Sequence, residues 1–258
     1  MPTTTPAYRG GSGRLAVLLL ACVTLNVAQA GNIAVKPVRL RLEPGQFATS
    51  VVVSNTGNEP KQVQVSAFRW TRQEGQDRYS TDESGDDLIV TPPLFQLAAG
   101  ASQVVRIGFE RAIAAAPNER AWRVIVEEVQ APPARHQGGD AQPSTAIAMR
   151  MRFILPMLLP PRAPRQDLNW EGSADVSGAV RLTAINAGNV SERIDELVLL
   201  RAGQHQVLGR LSGPLYVFPG ERRDLAVQTI SVITPGPVEL QLQGTPQPPV
   251  SDFVLRAQ

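Results

Sequence analysis

Two turn motifs of the form Asn-x-Gly-Asn recur 131 residues apart (186 − 55) in this chain of 258 residues. Asn55-Thr56-Gly57-Asn58 and Asn186-Ala187-Gly188-Asn189 each follow a short apolar run. A second marker recurs in the same order, because turns that end at Gly100 and Gly220 each lead into a further apolar run. This repeated order of turns and strands predicts two copies of one sandwich topology, each near the ~100 residues usual for an immunoglobulin-like domain.

The runs between the turns are short and lack helical periodicity, which predicts an all-β fold. A Pro/Arg-rich connector at 160–164 predicts a boundary between two immunoglobulin-like β-sandwich domains in tandem, residues 31–161 and residues 162–258. The predicted strands are Ile33–Leu42, Phe47–Ser54, Gln62–Thr71, Leu88–Val90, Gln103–Phe109, Ala121–Val129, Ile147–Leu155, Val180–Ile185, Arg193–Arg201, Val207–Leu211, Arg223–Gln228 and Val238–Gln243.

Residues 1–30 have the pattern of a secretory signal peptide. Arg9 and Arg14 precede an apolar run, and Ala28-Gln29-Ala30 is a small-residue cleavage signature, so the mature chain should begin near Gly31. The alternative is lipoprotein processing at Cys22. No later run has the length of a membrane helix. We therefore expect an exported, soluble protein without stable membrane insertion, located in the periplasm.

The chain lacks the residue patterns that common active sites require. Cys22 is the only cysteine and lies in the signal segment, while His136 and His205 stand alone in predicted loops. No nucleophile elbow or phosphate loop is present, and the net charge without Arg9 and Arg14 is near zero. These observations argue against an enzyme, a metal site, a cofactor and a nucleic-acid partner.

Within the stretch from Ser144 to Leu155, the apolar side chains from Ile147 to Phe153 alternate strictly with Ala148, Arg150 and Arg152, which predicts a strand with one apolar face. The run before it, Pro132 to Ser144, has no apolar periodicity and reads as a long loop. The apolar ridge has two interpretations: it packs on its own domain, or it is offered to another chain by strand addition at a sheet edge. The ridge consists of Ile147, Met149, Met151 and Phe153.

The order of these features resembles the periplasmic pilus-assembly chaperones of the chaperone–usher pathway, the PapD-like family, across about 130 residues. The strongest carrier is the run Thr91-Pro92-Pro93 to Arg106-Ile107, with weaker support from Ala34 to Leu40, Val51 to Asn55 and Trp122 to Glu128. The resemblance implies two sandwiches in a boomerang arrangement. The chain looks more like the archaic branch of this family, which assembles spore-coat-protein-U-like pilins. The features that point to this branch are Pro156, the strand that contains Arg123 and the absence of cysteines after the signal segment.

The resemblance also implies a mechanism and its residues. In this family the last strand of the first domain donates alternating apolar side chains to a pilus subunit with an incomplete immunoglobulin-like fold, here Ile147, Met149, Met151 and Phe153. A basic residue on the first strand holds the subunit's C-terminal carboxylate, and Arg39 matches that position. The alternative is an ordinary exposed arginine beside Arg41. The family's second, lysine anchor has no counterpart, and the candidates for it are Arg106, Arg123, Arg150 and Arg152. Arg123 is preferred because Arg150 and Arg152 should point away from the ridge.

The expected function is therefore a non-enzymatic periplasmic chaperone that protects pilus subunits and delivers them to an outer-membrane usher. One alternative is an exported adhesive or structural immunoglobulin-like protein that assembles with itself. Such a protein should carry its own donor segment, but Gly31 to Leu42 runs directly into the first strand. The other alternative, a secreted hydrolase, would need a catalytic cluster that the sequence does not show.

Overall fold

A computed structural model describes residues 33–43, 45–80, 88–110, 116–129, 150–175, 177–204, 206–230, 232–244 and 250–257. Every regular element in these ranges is a β-strand, so the fold is all-β as predicted. None of the described residues forms a helix long and apolar enough to cross a bilayer. The signal segment, the ridge residues Ile147 and Met149, and both histidines lie outside the described residues.

The first ten strands form two sheets around one core. A four-stranded sheet has the order β1-β3-β8-β6, and a second sheet has the order β2-β10-β9-β4-β5 with β7 also paired to β4. Buried valines such as Val53 and Val105 from the first sheet pack against Val65 and Val124 from the second. The strands are β1 Ile33–Lys36, β2 Leu40–Arg41, β3 Ala48–Asn55, β4 Lys61–Gln73, β5 Gln76–Ser80, β6 Leu88–Thr91, β7 Leu94–Leu97, β8 Ser102–Phe109, β9 Arg120–Val129 and β10 Arg152–Leu159.

The remaining eight strands enclose a second, separate core and follow one hydrogen-bonded path, β15-β12-β11-β18-β17-β13-β14-β16. Its centre is aliphatic, with Leu182, Leu197, Leu199 and Leu240 fully buried. The strands are β11 Leu168–Ala174, β12 Val180–Asn186, β13 Glu192–Arg201, β14 Val207–Val217, β15 Arg222–Ala226, β16 Gln228–Thr229, β17 Gly236–Gln243 and β18 Val250–Ala257.

The repeated turn motif has the same hydrogen bonds in both halves. The Asn55 side-chain amide donates to the carbonyl oxygens of Glu59, Leu97 and Ala98 at 2.7, 3.2 and 3.1 Å, and its Oδ1 accepts from the Gly57 N–H at 3.0 Å. Asn186 donates to Val190 and Val217 at 2.8 and 2.9 Å and accepts from Gly188 at 2.9 Å. Both asparagines are buried, at 1% and 0% exposure. Asn55 therefore connects its turn to the end of the strand that precedes the turn at Gly100. Asn186 connects its turn in the same way to the end of the strand that precedes the turn at Gly220.

Several predicted strand boundaries were wrong. The predicted first strand Ile33–Leu42 is interrupted after Lys36, because β1 pairs with β3 in one sheet while β2 pairs with β10 in the other. The last strand of the first group begins at Arg152, although the Glu128 N–H still donates to the Met151 carbonyl at 2.9 Å. Four strands were not predicted, namely β5, β7, β11 and β18.

Candidate functional site

One edge of the second sheet is open for part of its length. Strand β10 pairs along its whole length with β9, from Arg152 opposite Glu127 to Leu159 opposite Arg120. On its other side β10 pairs with β2 only at Met157 and Leu158. Among the described residues, the backbone of β10 from Arg152 to Pro156 therefore has no strand on that side, and such an edge is a template for another strand.

Two of the four ridge residues are described, and both lie on the side of the first core. Phe153 packs against that core as a partly buried side chain, and Met151 is half-buried. Further along β10 the same face continues into Leu155 and Met157, which are buried at 3% and 0% exposure. Phe153, in the described part of the ridge, is thus on the core face of this strand. The neighbouring side chain Ile154, on the opposite face, is 47% exposed.

The position of Arg39 follows from the interruption of the predicted first strand after Lys36. It lies between β1 and β2, directly before Leu40, which pairs with Met157 of β10. Its side chain is exposed. The structure thus places this predicted anchor where the open part of the β10 edge ends.

Arg123, the predicted second anchor, lies opposite Pro156 in the β9–β10 ladder. Its guanidinium stacks 3.5 Å from the centroid of the Trp70 ring and lies 3.9 Å from the Asp77 carboxylate. Burial lowers the pKa of Arg123, while Tyr79 and Asp77 act in the opposite direction. A distance of 3.9 Å is too long for a strong hydrogen bond, so Arg123 retains capacity for another acceptor.

The side-chain alternation that directs Arg152 away from the ridge does not distinguish it from Arg123. In the β9–β10 ladder Arg123 is opposite Pro156, and Pro156 is on the same face of β10 as Arg152. Both arginines therefore avoid the ridge face. Arg123 differs by its place along the sheet, beside Trp70, whereas the Arg152 side chain is 57% exposed beside Glu127.

Arg72, at the end of β4, was missed by the sequence analysis because the predicted strand stopped at Thr71. Its side chain is 7% exposed. It donates to Asp77 Oδ1 at 2.8 and 2.6 Å within the first sandwich. It also donates to the Tyr216 carbonyl at 2.7 Å and to Glu221 at 3.0 and 3.2 Å in the second. Arg72 therefore joins the two sandwiches.

An aromatic cluster accompanies this junction. Trp70 is 2% exposed and packs edge-on against Tyr216 and Phe218, with ring centroids 5.2 and 4.6 Å apart. Trp70 and Arg72 are two residues apart and so share one face of β4. The alternation of side chains along β4 could have identified both residues from the sequence. It would have done so only if the strand had been predicted to continue to Gln73.

Charges from both sandwiches meet at this cluster. Burial raises the pKa of Tyr216, and the positive charges of Arg193, Arg39 and Arg123 oppose that shift. Burial would also raise the pKa of Asp77, but the hydrogen bonds and charge of Arg72, together with the charge of Arg123, lower it overall. The Arg123 guanidinium lies 6.0 Å from the Tyr216 ring centroid, so this predicted anchor of the first sandwich lies beside a side chain of the second. No group of metal-ligating side chains is found in the described part of the chain.

Residues 32–164 match the family model described as pili and flagellar-assembly chaperone, PapD N-terminal domain. This match spans just over half of the chain, and it places the first sandwich and the β10 edge in a class of assembly chaperones. The chain belongs to the PapD-like family of pilus-assembly chaperones. No curated protein sequence matches it.

Solved structures show the same two-domain β-sandwich fold. The CsuC–CsuE chaperone–tip adhesion subunit pre-assembly complex, from archaic chaperone–usher Csu pili of Acinetobacter baumannii, matches with 18% identity and a TM-score of 0.59, covering 88% of this chain and 100% of that chain. The complex of Salmonella enterica SafA pilin with the SafB chaperone matches with 18% identity and 0.56, covering 87% and 95%. The Pseudomonas aeruginosa CupB2 chaperone matches with 16% identity and 0.53, covering 86% and 100%.

Proposed function

We propose that this protein is a periplasmic chaperone that captures pilus subunits by lending them strand β10. The single observation that supports the proposal best is the position of both arginines at the end of an open strand edge. Pro156 faces Arg123 across the ladder to β9, and the next residue, Met157, pairs with Leu40, the neighbour of Arg39. A strand added to β10 ahead of β2 would end beside both guanidinium groups.

The direction of β2 indicates how such a strand would run. β2 is parallel to β10 and occupies the same side of it, at Met157 and Leu158. A subunit strand placed in line before β2, in the same direction, would bring its C-terminal carboxylate to Arg39. Guanidinium groups bind carboxylates through two parallel hydrogen bonds, which suits both Arg39 and Arg123 as anchors.

The ridge would supply the side-chain part of the same interaction. Phe153 packs against the core of the first sandwich, and in the sequence Met151, Met149 and Ile147 continue the same alternation. A subunit whose fold lacks one strand has an open apolar groove, and the alternating side chains of an added strand can fill it. Methionine suits such a role because its flexible thioether adapts to different pockets.

Further parts of the proposal follow from the family. We infer that the chaperone acts in the periplasm after removal of residues 1–30, has no catalytic activity, and transfers subunits to an outer-membrane usher. We also assign it to the archaic branch. The predicted domain limits, 31–161 and 162–258, belong to the same proposal and agree with the two separate cores.

The test is Met149→Asp. If the ridge is offered to a subunit, a carboxylate there should leave folding nearly unchanged and abolish capture, because an unpaired charge cannot enter an apolar groove. If the ridge is ordinary core, the variant should lose several kcal/mol of stability, on the order of 2–5. Circular dichroism melts measure the stability of the variant. Pull-down from the periplasm measures its capture of the pilins encoded by neighbouring genes, and together the two measurements distinguish the two outcomes.

Val104→Asp is the matched control. Val104 lies on the outer face of the four-stranded sheet, away from β10, and is 55% exposed. It should tolerate a carboxylate and retain subunit capture. A folded Met149→Asp protein that captures subunits as well as the Val104→Asp control would rule out the donor strand.

A further inference from the structure

Tyr216 is a nearly buried side chain at the junction of the two sandwiches. Its side chain is only 6% exposed and packs edge-on against Trp70, with ring centroids 5.2 Å apart. No hydrogen bond joins the Tyr216 hydroxyl to another described residue, whereas the exposed Tyr79 donates to Asp77 at 3.3 Å. The hydroxyl is also not among the fully buried polar atoms that lack a partner, so it reaches the surface and is open to a ligand.

The surroundings of Tyr216 are positively charged. The Arg123 guanidinium lies 6.0 Å from the Tyr216 ring centroid, and the positive charges of Arg193, Arg39 and Arg123 act against the rise in the pKa of the hydroxyl. Arg72 and Arg223 instead donate to the backbone carbonyl oxygen of Tyr216. The carboxylates near the three arginines at the hydroxyl are Asp77 and Asp195. The ligand expected at the Tyr216 hydroxyl is therefore an anion with a hydrogen-bond acceptor, such as a carboxylate.

The two proposed anchors belong to the first sandwich, but Tyr216 belongs to the second. β13 and β14 place Arg193 directly opposite Tyr216, and Arg193 is held by an ion pair with Asp195. A group bound between Arg39 and Arg123 would thus meet a fixed donor from the other half of the molecule.

We propose that the Tyr216 hydroxyl donates a hydrogen bond to the C-terminal carboxylate of the bound subunit, so that both sandwiches recognise the chain end. This inference rests on the proposed function. It makes Tyr216 a specificity-determining residue, because a subunit with its carboxylate displaced from this point loses the hydrogen bond and gains no substitute.

Binding of a carboxylate can be tested without a subunit, using acetate as the probe. Of the three tyrosines in the full sequence, Tyr79 and Tyr216 remain after removal of residues 1–30, and their ring-¹³C NMR signals are assigned with Tyr79→Phe and Tyr216→Phe. At constant ionic strength, acetate should shift the Tyr216 signal saturably while acetamide does not. The shift should be lost in Arg39→Gln. Equal shifts with acetate and acetamide, or none with acetate, would overturn the inference.

The second measurement uses the subunit itself. Tyr216→Phe should weaken capture about tenfold, the effect of losing one charge-assisted hydrogen bond. The loss should disappear when the subunit carries two additional C-terminal glycines, and the remote control Val104→Asp should retain capture. If the wild type captures subunits but Tyr216→Phe does so equally well, the inference fails and the proposed function stands. If acetate binds at Tyr216 but no subunit is captured, the proposed function fails instead.

Discussion

Arg39 and Arg41 are two arginines of one short segment with different surroundings, which makes them a matched pair for mutation. Arg39 acts on the Tyr216 hydroxyl, whereas the charge of Arg41 acts on the buried carboxylate of Glu119. We expect Arg39→Ala to reduce subunit capture by about 2–5 kcal/mol, the cost of leaving a desolvated carboxylate without its partner. Its melting temperature should stay close to that of the wild type, because an exposed arginine contributes little to folding.

Arg41→Ala is the control for this prediction and should capture subunits normally. Co-purification and thermal melts of both variants are the measurements. Normal capture by Arg39→Ala would remove Arg39 from the site. A melting temperature that falls in step with capture would instead make its role structural.

At the scale of single residues the sequence was informative where a motif fixed the position. Arg39 was predicted from its place in the run Ala34 to Leu40, and Asn55 and Asn186 from their repeated turns. Arg72 and Tyr216 could not be predicted, because their roles depend on contacts across 144 residues of sequence. A contact between residues so far apart in the chain produces no pattern in the sequence around either residue.

At the scale of elements, the two Asn-x-Gly-Asn turns are the clearest case of one device used twice. Asn55 and Asn186 each satisfy several backbone groups that would otherwise be buried without partners. We expect Asn55→Ala and Asn186→Ala each to cost about 2–4 kcal/mol, from several lost hydrogen bonds at roughly 1 kcal/mol each. Denaturant unfolding measures both values.

Asn58→Ala is the matched control, because Asn58 belongs to the same turn as Asn55 and is exposed. We expect it to change stability by no more than about 0.5 kcal/mol. Equal effects of Asn55→Ala and Asn58→Ala would show that the side-chain hydrogen bonds of Asn55 do not stabilise the turn.

The strand errors have a common physical cause. A continuous apolar pattern from Ile33 to Leu42 does not reveal that the chain changes sheets after Lys36, since both halves still bury alternate side chains. The unpredicted β5 has the sequence Gln76–Ser80 and lies at an edge of its sheet, where one-sided burial leaves little apolar periodicity. Central strands such as β8 and β9 were predicted to within one residue.

At the scale of the whole molecule, two separate cores were expected and are observed. The contacts of Arg72 that join them were not predicted. Residues 31–258 form one compact unit. Besides Arg72, a second contact links the sandwiches: the Glu119 N–H donates to the Asn189 carbonyl at 2.8 Å, and Glu119 accepts from the Ser191 N–H at 3.0 Å. The carboxylate site proposed above lies between two bodies, so its geometry depends on these links.

Arg72→Ala tests whether that coupling is strong. The Arg72 side chain is 7% exposed and bridges Asp77 of the first sandwich to Glu221 of the second. Its removal leaves both carboxylates without their main partner, and breaking such a buried network costs about 3 kcal/mol. We expect the calorimetric unfolding of the wild type to be one transition, and that of Arg72→Ala to separate into two as each core unfolds alone.

Arg210→Ala provides the reference, because its pair with Glu196 is within the second sandwich and 56% of the arginine side chain is exposed. Such a surface pair should contribute at most about 1 kcal/mol and leave a single transition. A double-mutant cycle of Arg72→Ala with Glu221→Ala should give a coupling free energy of about 1 kcal/mol or more. A coupling near zero, with one unchanged transition in Arg72→Ala, would mean that the aromatic contacts of Trp70 hold the sandwiches together without the arginine.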